Sequence, residues 1–222
     1  MSQAHGLREL KKQRTRQLIA DTARQLFAER GFEGVPVAEI ARAAEVSEAT
    51  VFNYFPTKED LFYSGLEAFE QELVTSIRER APGESVLSAF ARFVLVPRGL
   101  LAARDPRQVE YLAAITRVIA DSPSLRAREQ QIYAKYTAAL ATLLADETGT
   151  GAADVEPWLV ARTLIGLHQA MVDYSRREIL AGTRNPTLAR RVRRQGQRAL
   201  ELLSAGLGDY GALPGRRPDH KT

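Results

Sequence analysis

The chain has 222 residues, 45% of them apolar, and carries 31 Lys plus Arg against 27 Asp plus Glu with no Cys. It is long enough for one large domain or for a small one joined to a larger one, and its composition excludes wholesale disorder and the low-complexity and collagen-like classes. The absence of Cys removes disulfides, thiolate chemistry and Cys-ligated metals together, and with only His5, His168 and His220 to supply imidazole, no metal centre and no cofactor are expected.

The opening MSQAHGLRELKKQR runs straight into charge, with neither an apolar core nor a cleavage site, and no later stretch approaches about 18 uncharged apolar residues. The expectation is a cytoplasmic protein with no membrane partner, whose residues 1–9 form a disordered tail. The first helix is expected from about Leu10 to Glu29, with Ile19, Ala23, Leu26 and Phe27 on one face and Gly31 as its stop. Two short helices follow, Val37 to Ala44 and Ser47 to Phe55. Thr57, three residues before Asp60, forms a capping-box arrangement and starts a long helix to about Arg80.

Further helices are expected over 84–103, 106–120, 123–148, 154–181 and 186–206, with Pro97 kinking or interrupting the first of these. Asp105-Pro106, Ser122-Pro123 and Asn185-Pro186 each set a capping side chain before a proline that suits a first helical position. Residues 207–222, with Gly, Pro and charge but no periodicity, are expected to be disordered. No period-2 run of β-branched residues appears, so the fold class is all-α with about nine helices: a three-helix head at 10–56, then a larger helical domain at 57–206.

Split by region, the net charge is +2 over residues 1–58, −4 over 59–183 and +6 over 184–222, and residues 1–20 hold five basic groups against Glu9 alone. Positive charge is gathered where an anionic partner would meet it. Residues 37–55, VAEIARAAEVSEATVFNYF, have the form of two short helices joined by a tight turn, with Ile40, Ala41, Val46 and Val51 as shared core. Ser47 caps the second helix, and its side chain with the first free N–H groups makes a natural phosphate site. Glu48, Ala49, Phe52 and Asn53 project to one side of that helix, which is the right size for a DNA major groove. From periodicity alone, an ordinary helical hairpin with a solvated face fits as well.

With its flanks, the segment RTRQLIADTARQLFAERGFEGVPVAEIARAAEVSEATVFNYFPTKEDLF, residues 14–62, resembles the DNA-binding domain of the TetR family of transcriptional regulators. The match runs through Leu26 to Phe32, Ile40-Ala41, Val46-Ser47, Thr50, the Phe52 to Phe55 block and Lys58 to Leu61. The resemblance implies an all-α homodimer whose helix-turn-helix heads read a palindromic double-stranded DNA operator, with a carboxy-terminal domain that binds a small-molecule inducer. It makes Thr50, Tyr54 and Lys58 phosphate contacts, and Lys12, Arg14 and Arg16, with Lys11, an arm that tracks phosphates or enters the minor groove. Asn53 is the best base reader, by bidentate bonding to adenine, and Phe52 meets a thymine methyl but lacks the hydroxyl of the family's usual Tyr. Glu48 either accepts from a cytosine amine or is a solvated charge that disfavours binding. Two positions depart from the family: Pro36 replaces a capping Thr or Ser, and Glu45 replaces a turn Gly, where a left-handed backbone costs roughly 1 kcal/mol.

Beyond the head, two apolar stripes share the 154–181 helix, Val160, Leu164, Leu167, Met171 and Tyr174 on one and Trp158, Ala161, Ile165, His168 and Val172 on the other. Two stripes suggest burial on two sides, one against the chain's own core and one against a second subunit. Trp158, Ala161, Ile165 and Val172, with Val192, Gly196, Ala199 and Leu203 of the next helix, are the expected dimer interface, while the Arg190 to Arg198 cluster reads as a solvated or acid-paired face. Phe69, Phe90, Phe93, Tyr111, Ile115, Tyr133, Tyr136, His168 and Met171 are candidates for a largely hydrophobic inducer pocket or for plain core. The run from Arg117 to Arg128 also resembles actinobacterial members of the family associated with acyl-CoA-like ligands. The expected function is a ligand-released repressor, with an activator or architectural DNA binder as the alternative. An enzyme is not expected, because neither a nucleophile elbow nor a His paired with a base is present.

Overall fold

The computed structural model describes residues 2–97, 105–151 and 153–207. Among the described residues there are ten helices and no strand: α1 (Ser2–Arg30), α2 (Val37–Ala43), α3 (Glu48–Tyr54), α4 (Lys58–Phe62), α5 (Leu66–Arg78), α6 (Val86–Val94), α7 (Pro106–Asp121), α8 (Pro123–Thr148), α9 (Val155–Leu180) and α10 (Thr187–Leu207). The chain divides into two compact units, Met1–Leu66 with Glu110–Arg128, and Glu67–Val109 with Glu129–Thr222.

The first unit is built on the apolar stripe of α1. Ile19, Ala23 and Phe27 are wholly buried, and the Phe27 ring packs 5.0 Å from Phe32 and 6.0 Å from Phe62. Each such aromatic burial contributes roughly 2–3 kcal/mol, with about 1 kcal/mol more per well-placed ring pair. Leu61, Phe62 and Tyr63 are buried here too, and the Tyr63 hydroxyl donates to the Leu125 carbonyl at 3.1 Å. That packing puts α4 and residues 110–128 in the head's unit, whereas the expected boundary fell at residue 56.

Three other boundaries differ from expectation. α1 begins at Ser2, so residues 2–9 extend the helix in place of the expected tail. They contain no proline and offer Gln, Ala, Leu, Arg and Glu, through which a helix anchored by its buried half can propagate backward. The long helix expected from Thr57 to Arg80 is two helices, because Gly65 adopts φ 101 between α4 and α5, a conformation closed to residues with a Cβ. α6 ends at Val94, three residues before Pro97; residues 98–103 of its expected continuation and 208–222 of the expected tail lie outside the described residues.

The second unit packs α9 on α10 and both on α6. Phe90, Ala161 and Leu164 are fully buried there, with Leu140 and Leu144 of α8. Its deepest charge is Arg80, whose side chain is wholly buried and pairs with Glu147 at 2.7 Å while donating to the Ile77 carbonyl at 2.8 Å. Removing one member of such a pair strands the other, whereas replacing both by apolar groups removes the desolvation cost as well. Arg80→Met should therefore lower stability by about 3–5 kcal/mol, and the double variant Arg80→Met/Glu147→Leu by clearly less, as read from urea unfolding midpoints.

Candidate functional site

α2 and α3 meet at nearly the turn that the sequence predicts. Pro36 begins α2 with φ −72 and ψ 151 and makes no side-chain cap. At the other end Glu45 takes φ 55, and the Glu45 and Val46 N–H groups donate to the Arg42 and Ala41 carbonyls at 3.2 and 2.9 Å, a Schellman ending with glutamate where glycine is usual. Ser47 then caps α3, its Oγ accepting from the Thr50 N–H at 3.1 Å and bonding the Thr50 hydroxyl at 2.8 Å.

Val51 and Phe55 anchor the inner side of α3, with Ile40 and Ala41 of α2 in the same core. Periodicity then leaves Glu48, Ala49, Phe52 and Asn53 exposed on the outer side, with Thr50 and Tyr54 half-buried at its margins. Phe52 is 47% exposed and stacks on no other ring among the described residues, an uncommon placement for a large apolar side chain. The outer face therefore offers an amide, a methyl, an aromatic ring and a carboxylate, bounded by two hydroxyls at the amino end.

The flanking cations divide into two groups. Lys58 turns inward: its ammonium donates to the Phe32 carbonyl at 2.6 Å and lies 4.4 Å from the Phe32 ring centroid, and burial lowers its pKa. Two N–H donors remain for an outside acceptor, beside the amino end of α4, where Thr57 and Asp60 complete the expected capping box. Arg16 lies 4.8 Å over the Phe55 ring, while Lys11, Lys12 and Arg14 are exposed on helical backbone, so the expected arm is a rod of helix. Such a rod, about 10 Å across, is wider than a minor groove of about 6 Å.

Two supports of this face were absent from the sequence expectations. Arg30 bonds Glu39 through both nitrogens at 2.6 Å, tying α1 to α2 and holding the Glu39 carboxylate below its ordinary pKa. Asp60 accepts from Arg128 at 2.6 Å as well as capping α4. Neither pair has local spacing that could reveal it.

Of the nine pocket candidates, seven fall in the second unit, and Tyr111 and Ile115 fall in the first. Phe69, Phe93, Tyr133, Tyr136 and His168 form one aromatic cluster, with His168 stacked 4.6 Å from Phe69 and Phe93 5.3 Å from it. Beside it Arg176 bonds Glu129 at 2.7 and 2.5 Å. Phe90 is fully buried core, and Met171 packs against α10. A cavity of about 430 Å3 opens on the same unit between Phe93 and Gln71, Glu72, Thr75 and Ser76, residues whose spacing reads as an ordinary solvated helix face. The Arg117 to Arg128 run lies in the first unit, apart from the residues of this cluster. Among the described residues no group of three or more His, Asp or Glu is placed to hold a metal ion.

α9 has one broad buried face in place of the two sides expected. Val160, Leu164 and Met171 of one stripe and Ala161 and Ile165 of the other are all buried within the chain; Trp158, His168 and Val172 are half-buried. Gly196 is buried too: a Cβ there would lie 2.7 Å from the Met171 methyl and 2.9 Å from Leu95, so this glycine serves packing inside the unit and cannot itself meet a second subunit. Val192, Ala199 and Leu203 are half-buried along the same side of α10. The outward stripe of α9 is instead Val155, Leu159, Arg162, Gly166, Ala170 and Arg177, with Val155 78% and Leu159 59% exposed.

Two outcomes follow from this geometry. Glu45→Gly should raise the melting stability by roughly 1 kcal/mol, because glycine occupies φ 55 without strain. Burial lowers the His168 pKa from its ordinary 6.5 to about 4, so the unfolded chain binds the proton more readily than the fold. Stability is then fully present above about pH 6.5 and falls as pH drops toward 4, by roughly 3 kcal/mol at most. Urea unfolding at pH 7 and pH 4.5 should show that loss, reduced in His168→Phe.

The comparisons with known proteins agree with the geometry. Residues 19–64 match the family model of bacterial regulatory proteins of the tetR family, and residues 84–206 match that of the MftR C-terminal domain. The mycofactocin biosynthesis transcriptional regulator MftR of Mycobacterium tuberculosis is 28% identical over 156 residues, which is 67% of this chain and 73% of that one. The transcriptional regulator TcmR of Streptomyces glaucescens is 34% identical over 86 residues, 39% of this chain and only 38% of its own length. The transcriptional regulator FadR from Bacillus subtilis, solved with stearoyl-CoA, is 24% identical and superimposes with a TM-score of 0.52 over 86% of this chain and 98% of that one, a likeness of fold. With an all-helical architecture, a capped recognition helix and two family models that between them span most of its length, the chain belongs to the TetR family of DNA-binding transcriptional regulators.

Proposed function

We propose that the protein is a homodimeric repressor that binds a palindromic operator in the cytoplasm and is released by a small, largely hydrophobic inducer. The observation that carries this reading is the outer face of α3. Glu48, Ala49, Phe52 and Asn53 are exposed together on a helix too short to serve as scaffold, and Ser47 and Thr50 stand at its amino end. In this reading Asn53 reads adenine and Phe52 meets a thymine methyl; Ser47, Thr50, Tyr54 and Lys58 hold phosphates.

The outward stripe of α9 supports the dimer. Its apolar residues lie near the amino end, beside the acidic Asp154 and Glu156, and its far end carries Arg177, with Arg184 in the loop that follows. Two copies laid antiparallel about a two-fold axis set acid against base, and the small Gly166 and Ala170 at mid-length permit close approach. The aromatic cluster around His168, with its phenols and imidazole, supports an inducer of apolar body and few polar groups, and acyl-CoA-like molecules are the first class to screen. Release is then a coupling free energy, with inducer favouring a head spacing that no longer fits successive major-groove half-sites.

Asn53 is exposed and forms no side-chain hydrogen bond among the described residues, so Asn53→Ala should leave the melting temperature unchanged. It should lower binding to the selected operator by about 1–3 kcal/mol relative to unrelated DNA, measured by competition gel shift. Unchanged operator preference would refute the base-reading role, and activation of a reporter in place of repression would overturn the repressor reading.

A further inference from the structure

We infer that the first unit holds a small-molecule site of its own, built for a compound that carries a protonated amine and a carboxylate on a compact apolar body, as an amino acid does. The site shares no residue with the outer face of α3 or with the aromatic cluster, so it stands or falls apart from the function proposed above. It is a cavity of about 310 Å3 between the end of α1, the loop that follows and the carboxy-terminal half of α7. That is the space of about ten water molecules, enough for one compound of this size.

Its floor is apolar, with Phe32 and Val118 both buried. On its rim, Arg117 and Asp121 stand one turn apart on the face of α7 that also carries Val118. Among the described residues neither has an ion-pair or hydrogen-bond partner, not even the other. Glu33 comes in from the α1–α2 loop, held because the hydroxyl of Ser122, a nearly wholly buried side chain, donates to its Oε1 at 3.0 Å. Ser122 is itself fixed, its Oγ accepting from the Leu125 N–H at 3.4 Å at the start of α8. The second oxygen of Glu33 is left for a ligand.

Charge decides what that ligand is. Arg30, also on the wall, is spent on Glu39 and on the Gly34 carbonyl at 3.3 Å, so one guanidinium remains against two carboxylates. α1 and α7 both end at the cavity, and a helix carboxy end carries partial negative charge. An ammonium is therefore favoured beside Glu33 and Asp121, a carboxylate on the fork of Arg117, and an apolar body over Phe32 and Val118. A plain anion would meet two carboxylates, and a plain cation would leave Arg117 unused. A molecule held this way joins α7 to the loop that leads into α2.

The test is thermal unfolding of the full-length protein without DNA, with each common L-amino acid in turn at about 5 mM, a level that reveals millimolar dissociation constants. At least one with an apolar side chain should raise the melting temperature by about 2–4 °C, the shift that a dissociation constant of about 1 mM produces. Its amide, which lacks the carboxylate, and its N-acetyl derivative, which lacks the ammonium, should each bind about tenfold more weakly in calorimetric titration. Arg117 and Asp121 are exposed, so Arg117→Gln and Asp121→Asn should fold as wild type does. Arg117→Gln should bind the amino acid and its amide alike, and Arg117→Lys should keep the wild-type order. Asp121→Asn should narrow the gap between the amino acid and its N-acetyl derivative without closing it, since Glu33 remains. If no amino acid shifts the melting temperature, the inference falls. If one does but Arg117→Gln still tells it from its amide, the molecule sits elsewhere in the protein and the inference falls equally. Either result leaves the reading of α3 as it stands.

Discussion

The Lys58 ammonium donates to the Phe32 carbonyl and lies over the Phe32 ring, while that ring packs against Phe27 and, edge-on at 6.2 Å, against Phe62. One residue in the α1–α2 loop is therefore held from three sides, by α1, by the start of α4 and by its end. α2 follows a few residues later and α3 follows α2 through a tight turn, so their positions are inherited from this contact. The cation–π attraction and the charge-assisted hydrogen bond reinforce each other in a partly desolvated site, where each is worth more than in water. The same contact makes Lys58 a positioning residue for the recognition helix as well as a candidate phosphate ligand.

Much of the head was legible because its signals are local. Ser47 and Thr57 announce their caps three residues ahead, whereas the left-handed turn at Glu45 is expected only through the family resemblance, since glutamate carries no local stop signal. The starts of α7 and α8 fall at Pro106 and Pro123 for the same reason. The misreadings have a common origin in information that is not local. Gly65 looks like any isolated glycine in a helical pattern, and only its φ of 101 shows that it divides α4 from α5. On α9 the buried arc is wide enough to hold two stripes at helical spacing, so periodicity suggests a core side and a subunit side where the chain's own core covers most of both. Gly196 announced close approach but not to what; Met171 and Leu95 of its own unit fill that place. Tyr111 and Ile115 are aromatic and aliphatic like the other pocket candidates, and nothing in their spacing says that they pack with the head's unit.

The charge pattern gains meaning from the fold. The buried or half-buried pairs Arg80–Glu147, Arg176–Glu129 and Arg128–Asp60 hold three acidic groups of the middle segment in place as structure. The exposed cations of α1 and of the α10 surface remain as field, with Arg191 of α10 joined to Glu178. A net charge of +4 thus understates the attraction that an anionic polymer would meet at the head.

The hydroxyl pair at the start of α3 limits what a bound phosphate can receive. Ser47 and Thr50 carry one hydroxyl proton each, and one of the two is held in their mutual 2.8 Å bond. The Thr50 N–H is also occupied, by the Ser47 oxygen. An incoming phosphate oxygen finds a single free hydroxyl proton unless it breaks the pair, and its other donors have to come from the N–H groups of Glu48 and Ala49 at the open helix end. On the proposed reading, sequence-independent grip at this corner is therefore largely a property of the backbone, and it would survive changes of side chain that keep the helix start in place.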